Sequence, residues 1–206
     1  MAVYLLSKPR GTVTAMRDER KATVAELLPA DLRCRVHPVG RLDKETEGLL
    51  LFTDDGRLDA ALLSPEAGVE KTYFFRAAGA LPPEAEAQIA HGIPLTREGT
   101  LSAPALLTVT ERGRCGDLIP HLPPREAALC QRRREKPATA GLLTVTEGKW
   151  HEVRRILGFF GLTVLSLRRT RFGPLSLGNL PAGALRPLTE KEEAALYAKA
   201  GILPKA

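Results

Sequence analysis

A chain of 206 residues, 44% hydrophobic and 26% charged, has room for one large domain or two small ones and is too apolar for intrinsic disorder. Thirty lysines and arginines against 24 acidic residues leave a formal charge of +6, which favours a polyanionic partner, nucleic acid first. The sequence has no run of about 18 uncharged apolar residues to span a membrane, and no basic region ahead of its first apolar stretch to make a secretory signal.

Residues 3–7 form a short apolar run that stops at Lys8-Pro9-Arg10-Gly11, the pattern of a strand entering a turn. Thr23 and Glu26 stand at capping-box spacing and predict a short helix to Leu28, before Pro29. Residues 48–53 (GLLLFT) are continuously apolar and close on Asp54-Asp55-Gly56, as a buried strand and turn would, with a short helix over 57–63. Residues 69–77 are rich in β-branched and aromatic side chains and read as a strand. Pro82-Pro83 opens a helix that Gly92 ends, and residues 101–109 predict another strand. From 111 to 140 the periodicity is lost. Prolines, two cysteines and the run RRREK at 132–136 predict a long basic loop there. Strands follow at 142–147, 163–170 and 186–188, with a helix near Glu152 and a charged helix over 190–200 ended by Gly201. Strands outnumber helices without alternating regularly, so the expected fold class is α+β, with a mixed, mainly antiparallel sheet and flanking helices. The expected organisation is one domain over 1–206, divisible into two subdomains.

Cys34, Cys115 and Cys130 are odd in number and lack CxxC spacing, which fits neither a disulfide framework nor a zinc site and suits a reducing cytoplasm. His37, His91, His121 and His151 show no metal-ligand spacing. The informative segment is VGRLDKETEGLLLFTDDG at 39–56. Asp43 lies between Arg41 and Lys44, and neighbouring cations favour its ionised form. A rigid strand behind such a loop holds a carboxylate in place for chemistry. Arg-x-Asp spacing alone also fits a turn cap or an Arg41–Asp43 ion pair. Asp54, Asp55 and Glu47 admit a metal-dependent nuclease, although Asp54-Asp55-Gly56 reads better as a turn. Further on, Val153, Ile156, Leu157 and Phe160 make one apolar stripe of a helix, with Arg154 bordering it and Arg155 pointing further towards solvent.

The string GRLDKETEGLLLFTDDG resembles the signature of the RsuA group of bacterial ribosomal-RNA pseudouridine synthases. Lys8-Pro9-Arg10-Gly11 resembles the family's first motif, Lys71-Thr72-Tyr73 its central strand, EGKWHEVRRIL at 147–157 its third motif, and LRRTRFGPLSL at 167–177 its closing segment. These matches stand in the family's order along nearly the whole chain.

That resemblance implies the pseudouridine synthase fold with a central RNA-binding cleft, and isomerisation of one ribosomal-RNA uridine without cofactor or metal. Uracil leaves its ribose, turns, and rejoins through carbon 5. One aspartate serves, either by attacking the sugar or by removing its 2′ proton. The resemblance gives that role to Asp43, places Tyr73 against the target uracil, and pairs Arg154 with Asp43. Arg41 is assigned to the space or phosphate of the flipped nucleotide. Lys8, Arg10, Lys71, His151, Arg155, Arg169 and Arg171 are further expected RNA contacts. His151 matches the small-subunit type, whereas Glu152 stands where the family usually has glutamine. The sequence opens on the first of these motifs, so by the resemblance a minimal form is expected, without the small RNA-binding domain that many relatives carry ahead of it. Small-subunit (16S) RNA is the expected substrate, free or in a partly assembled subunit, and large-subunit (23S) RNA the alternative. The protein is expected to act as a cytoplasmic monomer. A non-catalytic RNA-binding or ribosome-assembly protein is the rival from another class.

Overall fold

The computed structural model describes residues 2–96 and 99–203. In chain order the elements are β1 (Val3–Lys8), a 3-10 turn (Val24–Leu27), β2 (His37–Val39), β3 (Glu47–Thr53), α1 (Gly56–Leu63), β4 (Lys71–Ala78), α2 (Ala85–His91), β5 (Leu106–Arg114), α3 (Cys115–Leu118), α4 (Pro124–Gln131), β6 (Pro137–Val145), α5 (Glu152–Phe159), β7 (Thr163–Phe172), β8 (Leu175–Ser176), β9 (Leu185–Pro187) and α6 (Glu190–Ala200). The architecture is the expected α+β, and every strand register described is antiparallel. None of the described helices is long and apolar enough to cross a membrane. The chain divides into two compact units, Met1–Lys71 with Arg169–Ala206, and Thr72–Arg168.

In the first unit β1 lies between β3 and β9. It occupies one edge of β3 from Gly48 to Thr53, and β2 pairs with the other edge only over Leu51–Thr53, with His37 opposite Thr53. Val3, Leu5, Leu49 and Leu51 pack with Leu58 and Leu62 of α1 and Leu196 and Tyr197 of α6. Leu6, Leu50 and Phe52 alternate to the opposite face and are also fully buried. Both faces of β3 are covered, which is why its sequence is a continuous apolar run rather than an alternating one. Asp55 caps α1 by accepting from the Arg57 backbone N–H at 3.0 Å, and it also accepts from the Tyr197 hydroxyl at 3.2 Å. This buried carboxylate is committed to capping the helix, which removes it from the nuclease reading of Asp54-Asp55. Burial and Asp55 together push the Tyr197 phenol up to about 12.

The second unit pairs β5 with β6 from Leu106–Thr144 to Arg114–Pro137, with an irregularity between Val109 and Glu111. Phe75, Ala77, Leu143 and Val145 from the strands pack with Ile89 of α2 and with Val153, Ile156 and Leu157 of α5. Gly141 has no substitute in this ladder: a Cβ there would sit 2.5 Å from the Thr108 carbonyl oxygen and 3.2 Å from the Phe75 ring.

Three local expectations are corrected. The segment 111–140 is not a loop, because β5 runs to Arg114, α3 and α4 follow, and β6 starts at Pro137. Its helices close over a small core of Cys115, Leu118, Cys130 and Ala138 with Leu165 of β7, and four apolar residues scattered over that length leave no periodic trace. The strand expected at 101–109 begins only at Leu106, since Ser102 is occupied with Ile93, whose N–H it accepts at 3.1 Å. The helix expected after Thr23 is a 3-10 turn of four residues, although its capping box is present.

Candidate active site

The first unit builds a tight turn between β2 and β3, and Asp43 sits on it. Gly40 enters the turn at φ 68°, the left-handed region where a side chain is strained, and a Cβ there would meet Leu63 Cδ2 at 2.9 Å. Leu42 is buried. Its carbonyl accepts from the Thr14 hydroxyl at 2.8 Å, and its N–H donates back to the same oxygen at 3.1 Å. On the far side of Asp43, the Lys44 carbonyl accepts from the Gly11 N–H at 2.8 Å, and the Asp43 carbonyl accepts from the Thr46 N–H at 3.0 Å.

Beneath the turn lies the fully buried Lys8. Its ammonium donates to the carbonyls of Thr46 at 2.8 Å, Pro9 at 3.1 Å and Lys44 at 3.3 Å. Burial lowers this amine from 10.5 to about 8, against the opposing pull of Glu45, Glu47 and Asp43. Such charge-assisted bonds are roughly twice as strong as neutral ones. Backbone on both sides of Asp43 is therefore pinned, while its side chain is half-buried between the exposed Arg41 and Lys44.

Several expected RNA contacts prove to be internal. Lys8 is buried under the turn and holds backbone, so no phosphate reaches it. Lys71 is buried too: it donates to the Val69 carbonyl at 2.9 Å and lies 5.7 Å from the centroid of the Phe172 ring. Arg169 is buried, with Nε donating to the Leu49 carbonyl at 2.8 Å and the guanidinium 5.1 Å from the centroid of the same ring. The physical reason is shared. Each cation sits on or beside a central strand and satisfies carbonyls there, and a sequence pattern cannot tell that environment from a groove. Arg10 is half-buried and bonds Glu45 at 2.6 Å, whereas Arg41 and Arg171 are exposed.

In the second unit Tyr73 is half-buried on β4 against the apolar core. Arg154 is half-buried on α5, and its Nη1 lies 3.4 Å from the Val164 carbonyl oxygen it donates to. Arg155 is corrected from a phosphate contact to a clamp, because its guanidinium donates to the carbonyls of Leu95 and Trp150. His151 ends the turn before α5 at φ 51°, ψ 30° and stacks on Trp150, with ring centroids 4.0 Å apart and an interplanar angle of 15°.

Glu152 is buried and hydrogen-bonds Glu147. Glu147 in turn accepts from the Ala103 N–H at 2.8 Å and pairs with Lys149 at 2.9 Å. Burial first, and the Glu147 charge second, push Glu152 up to about 7. Below that pH it carries a proton and donates to Glu147, so it supplies the hydrogen-bond donor that a carboxylate lacks. Sequence reasoning missed Thr14, Glu147 and Trp150. The first two act through backbone contacts that leave no local signal, while Trp150 was legible as the single tryptophan beside His151.

A family model described as RNA pseudouridylate synthase matches residues 2–158. The chain belongs to that family of RNA-modifying enzymes, and its fold is the pseudouridine synthase fold. Among its relatives, the ribosomal small subunit pseudouridine synthase A of Salmonella typhimurium is 33% identical over 194 residues, which cover 94% of this chain and 73% of the relative. The protein of the same name from Pseudomonas aeruginosa is 35% identical over 190 residues, covering 92% and 71%. A solved crystal structure of a pseudouridylate synthase superposes with a TM-score of 0.75 at 29% identity, covering 95% of this chain and 73% of that one.

Proposed function

We propose that this enzyme converts one uridine of small-subunit ribosomal RNA to pseudouridine in the cytoplasm, as a monomer, with Asp43 as the catalytic carboxylate. The observation that carries the assignment of Asp43 is its turn: Thr14 grips Leu42 on one side and Lys8 grips Lys44 and Thr46 on the other. A carboxylate on pinned backbone keeps its aim on a sugar carbon or a 2′ proton, which is where most of the advantage of an enzymic group arises. Tyr73 serves as the face for the target uracil and takes part in proton transfer at carbon 5. Arg154 neutralises Asp43, and Arg41 occupies the place of the flipped nucleotide. Arg10, Arg171 and His151 contact RNA. The small-subunit substrate is supported by His151 and by the names of the similar synthases. Free or partly assembled RNA fits a net charge of +6.

Tritium release from RNA labelled at carbon 5 of uridine tests the proposal, with small- and large-subunit RNAs each offered free and partly assembled. Release is expected from small-subunit RNA alone, falling by about 10⁴-fold or more in Asp43→Asn. Release from large-subunit RNA alone overturns the substrate. Undiminished release in Asp43→Asn overturns the mechanism, and binding without any release assigns the chain to the non-catalytic class.

A further inference from the structure

Trp150 keeps 73% of its surface exposed, the largest exposure of any aromatic side chain among the described residues. An indole left in water forgoes burial free energy that Phe52, Phe75 and Phe172 recover in full. Its backbone is nevertheless tightly held. The Trp150 carbonyl accepts from Arg155 Nη1 at 3.3 Å, and the turn is closed by the Glu152 N–H on the Lys149 carbonyl at 3.1 Å. Lys149 itself donates to the Leu101 carbonyl at 2.8 Å.

Adjacent residues on a helix or strand do not face each other, so two neighbouring rings stack only where the backbone is turned out of both conformations. His151 does this. It is the one non-glycine residue with positive φ among those described, and this conformation costs roughly 1–2 kcal/mol. The strain produces a flat, two-ring slab with one indole face covered by imidazole and the other open.

We propose that Trp150, backed by His151, is a stacking platform for an unpaired base of the RNA substrate. This rests on the pseudouridine synthase reading above and adds to it a contact outside the target uracil itself. A base has the flat π-face that the open indole lacks a partner for, and a basic chain supplies the attraction to its backbone. Fixing the slab before RNA arrives removes the ordering cost that a mobile tryptophan would carry into binding.

The chain has a single tryptophan, so its emission reports this one position. Small-subunit RNA transcript labelled at carbon 5 is titrated into the wild type, Trp150→Phe and Trp150→Ala, with tritium release, tryptophan emission and sedimentation followed. Saturating transcript is expected to quench the wild-type emission. In Trp150→Ala KM should rise about 5- to 100-fold, with a much smaller change in kcat, while Trp150→Phe recovers most of the loss. Thermal melting should be unchanged in both variants, because the ring contributes little to the core.

Tritium release with an unchanged KM in Trp150→Ala, or RNA saturation with unchanged emission, overturns the platform and leaves the enzyme reading intact. A change in sedimentation with no change in KM assigns the indole to a second copy of the chain and equally overturns it. Absence of wild-type release on every RNA overturns the enzyme reading and the platform with it.

Discussion

The enzyme has two turns that carry its expected chemistry, and they are held by opposite means. The turn of Asp43 is built over a buried cation, and the turn of Trp150 and His151 beside a buried acid, Glu152, and its half-buried partner Glu147. Lys8 presents an ammonium to carbonyls that point inwards, so its charge is solvated by backbone, although burial lowers the amine to about 8 and the charge is lost as the pH rises through that value. Glu152 and Glu147 hold their turn through a shared proton, which is present only below about pH 7. Both groups titrate near neutrality for different reasons: burial by itself loosens the proton of the lysine, whereas burial and a neighbouring like charge hold the proton on the acid.

The largest effect should come from removing the cation. Lys8→Met keeps the stem but leaves inward carbonyls without a donor, and urea unfolding should show a loss of about 2–4 kcal/mol. Tritium release should fall beyond what the reduced folded fraction explains. Normal turnover in the folded variant would mean that the turn does not depend on Lys8.

The acid pair gives the next effect, and its sign is fixed. Glu152 holds its proton to about pH 7 in the folded state and releases it near the ordinary 4.5 when unfolded. Its contribution is therefore complete below pH 4.5, declines as the pH rises through 7, and is absent above. Glu152→Gln keeps a donor and cannot ionise, so it should match the wild type near pH 5 and exceed it by about 1–3 kcal/mol at pH 8. Glu147, lowered by Lys149 and Ala103, has the opposite dependence and is common to both proteins. Parallel stability curves from pH 5 to 8 would refute the shared proton.

A smaller effect belongs to Thr14, whose hydroxyl both donates to and accepts from Leu42. Thr14→Val should cost about 1–2 kcal/mol in unfolding and lower kcat more than it changes KM. The smallest is expected from Arg155→Lys, which keeps a donor towards Leu95 but loses the fork that also reaches Trp150. A loss of under about 1 kcal/mol is expected, together with broader tryptophan emission.

Much of the framework was legible. The unbroken GLLLFT run marks β3 because both of its faces are covered, and the charged run ended by Gly201 marks α6. β2 was invisible, because three residues with Pro38 in the middle form a strand only where the Leu51–Thr53 end of β3 receives them. The helices inside 111–140 were hidden for a related reason: their small core is completed by Leu165, which joins them from β7.

The sequence by itself determined the α+β class and the family, since these follow from local patterns and from motifs in a fixed order. Only the tertiary structure decided the fate of the cations. Lys8, Lys71 and Arg169 are drawn inwards to backbone carbonyls and an aromatic ring, while Arg41 and Arg171 remain in solvent. All of them read alike in the sequence, because a positive charge is stabilised by a phosphate or by converging carbonyls alike, and the path of the neighbouring strands determines which of the two it meets.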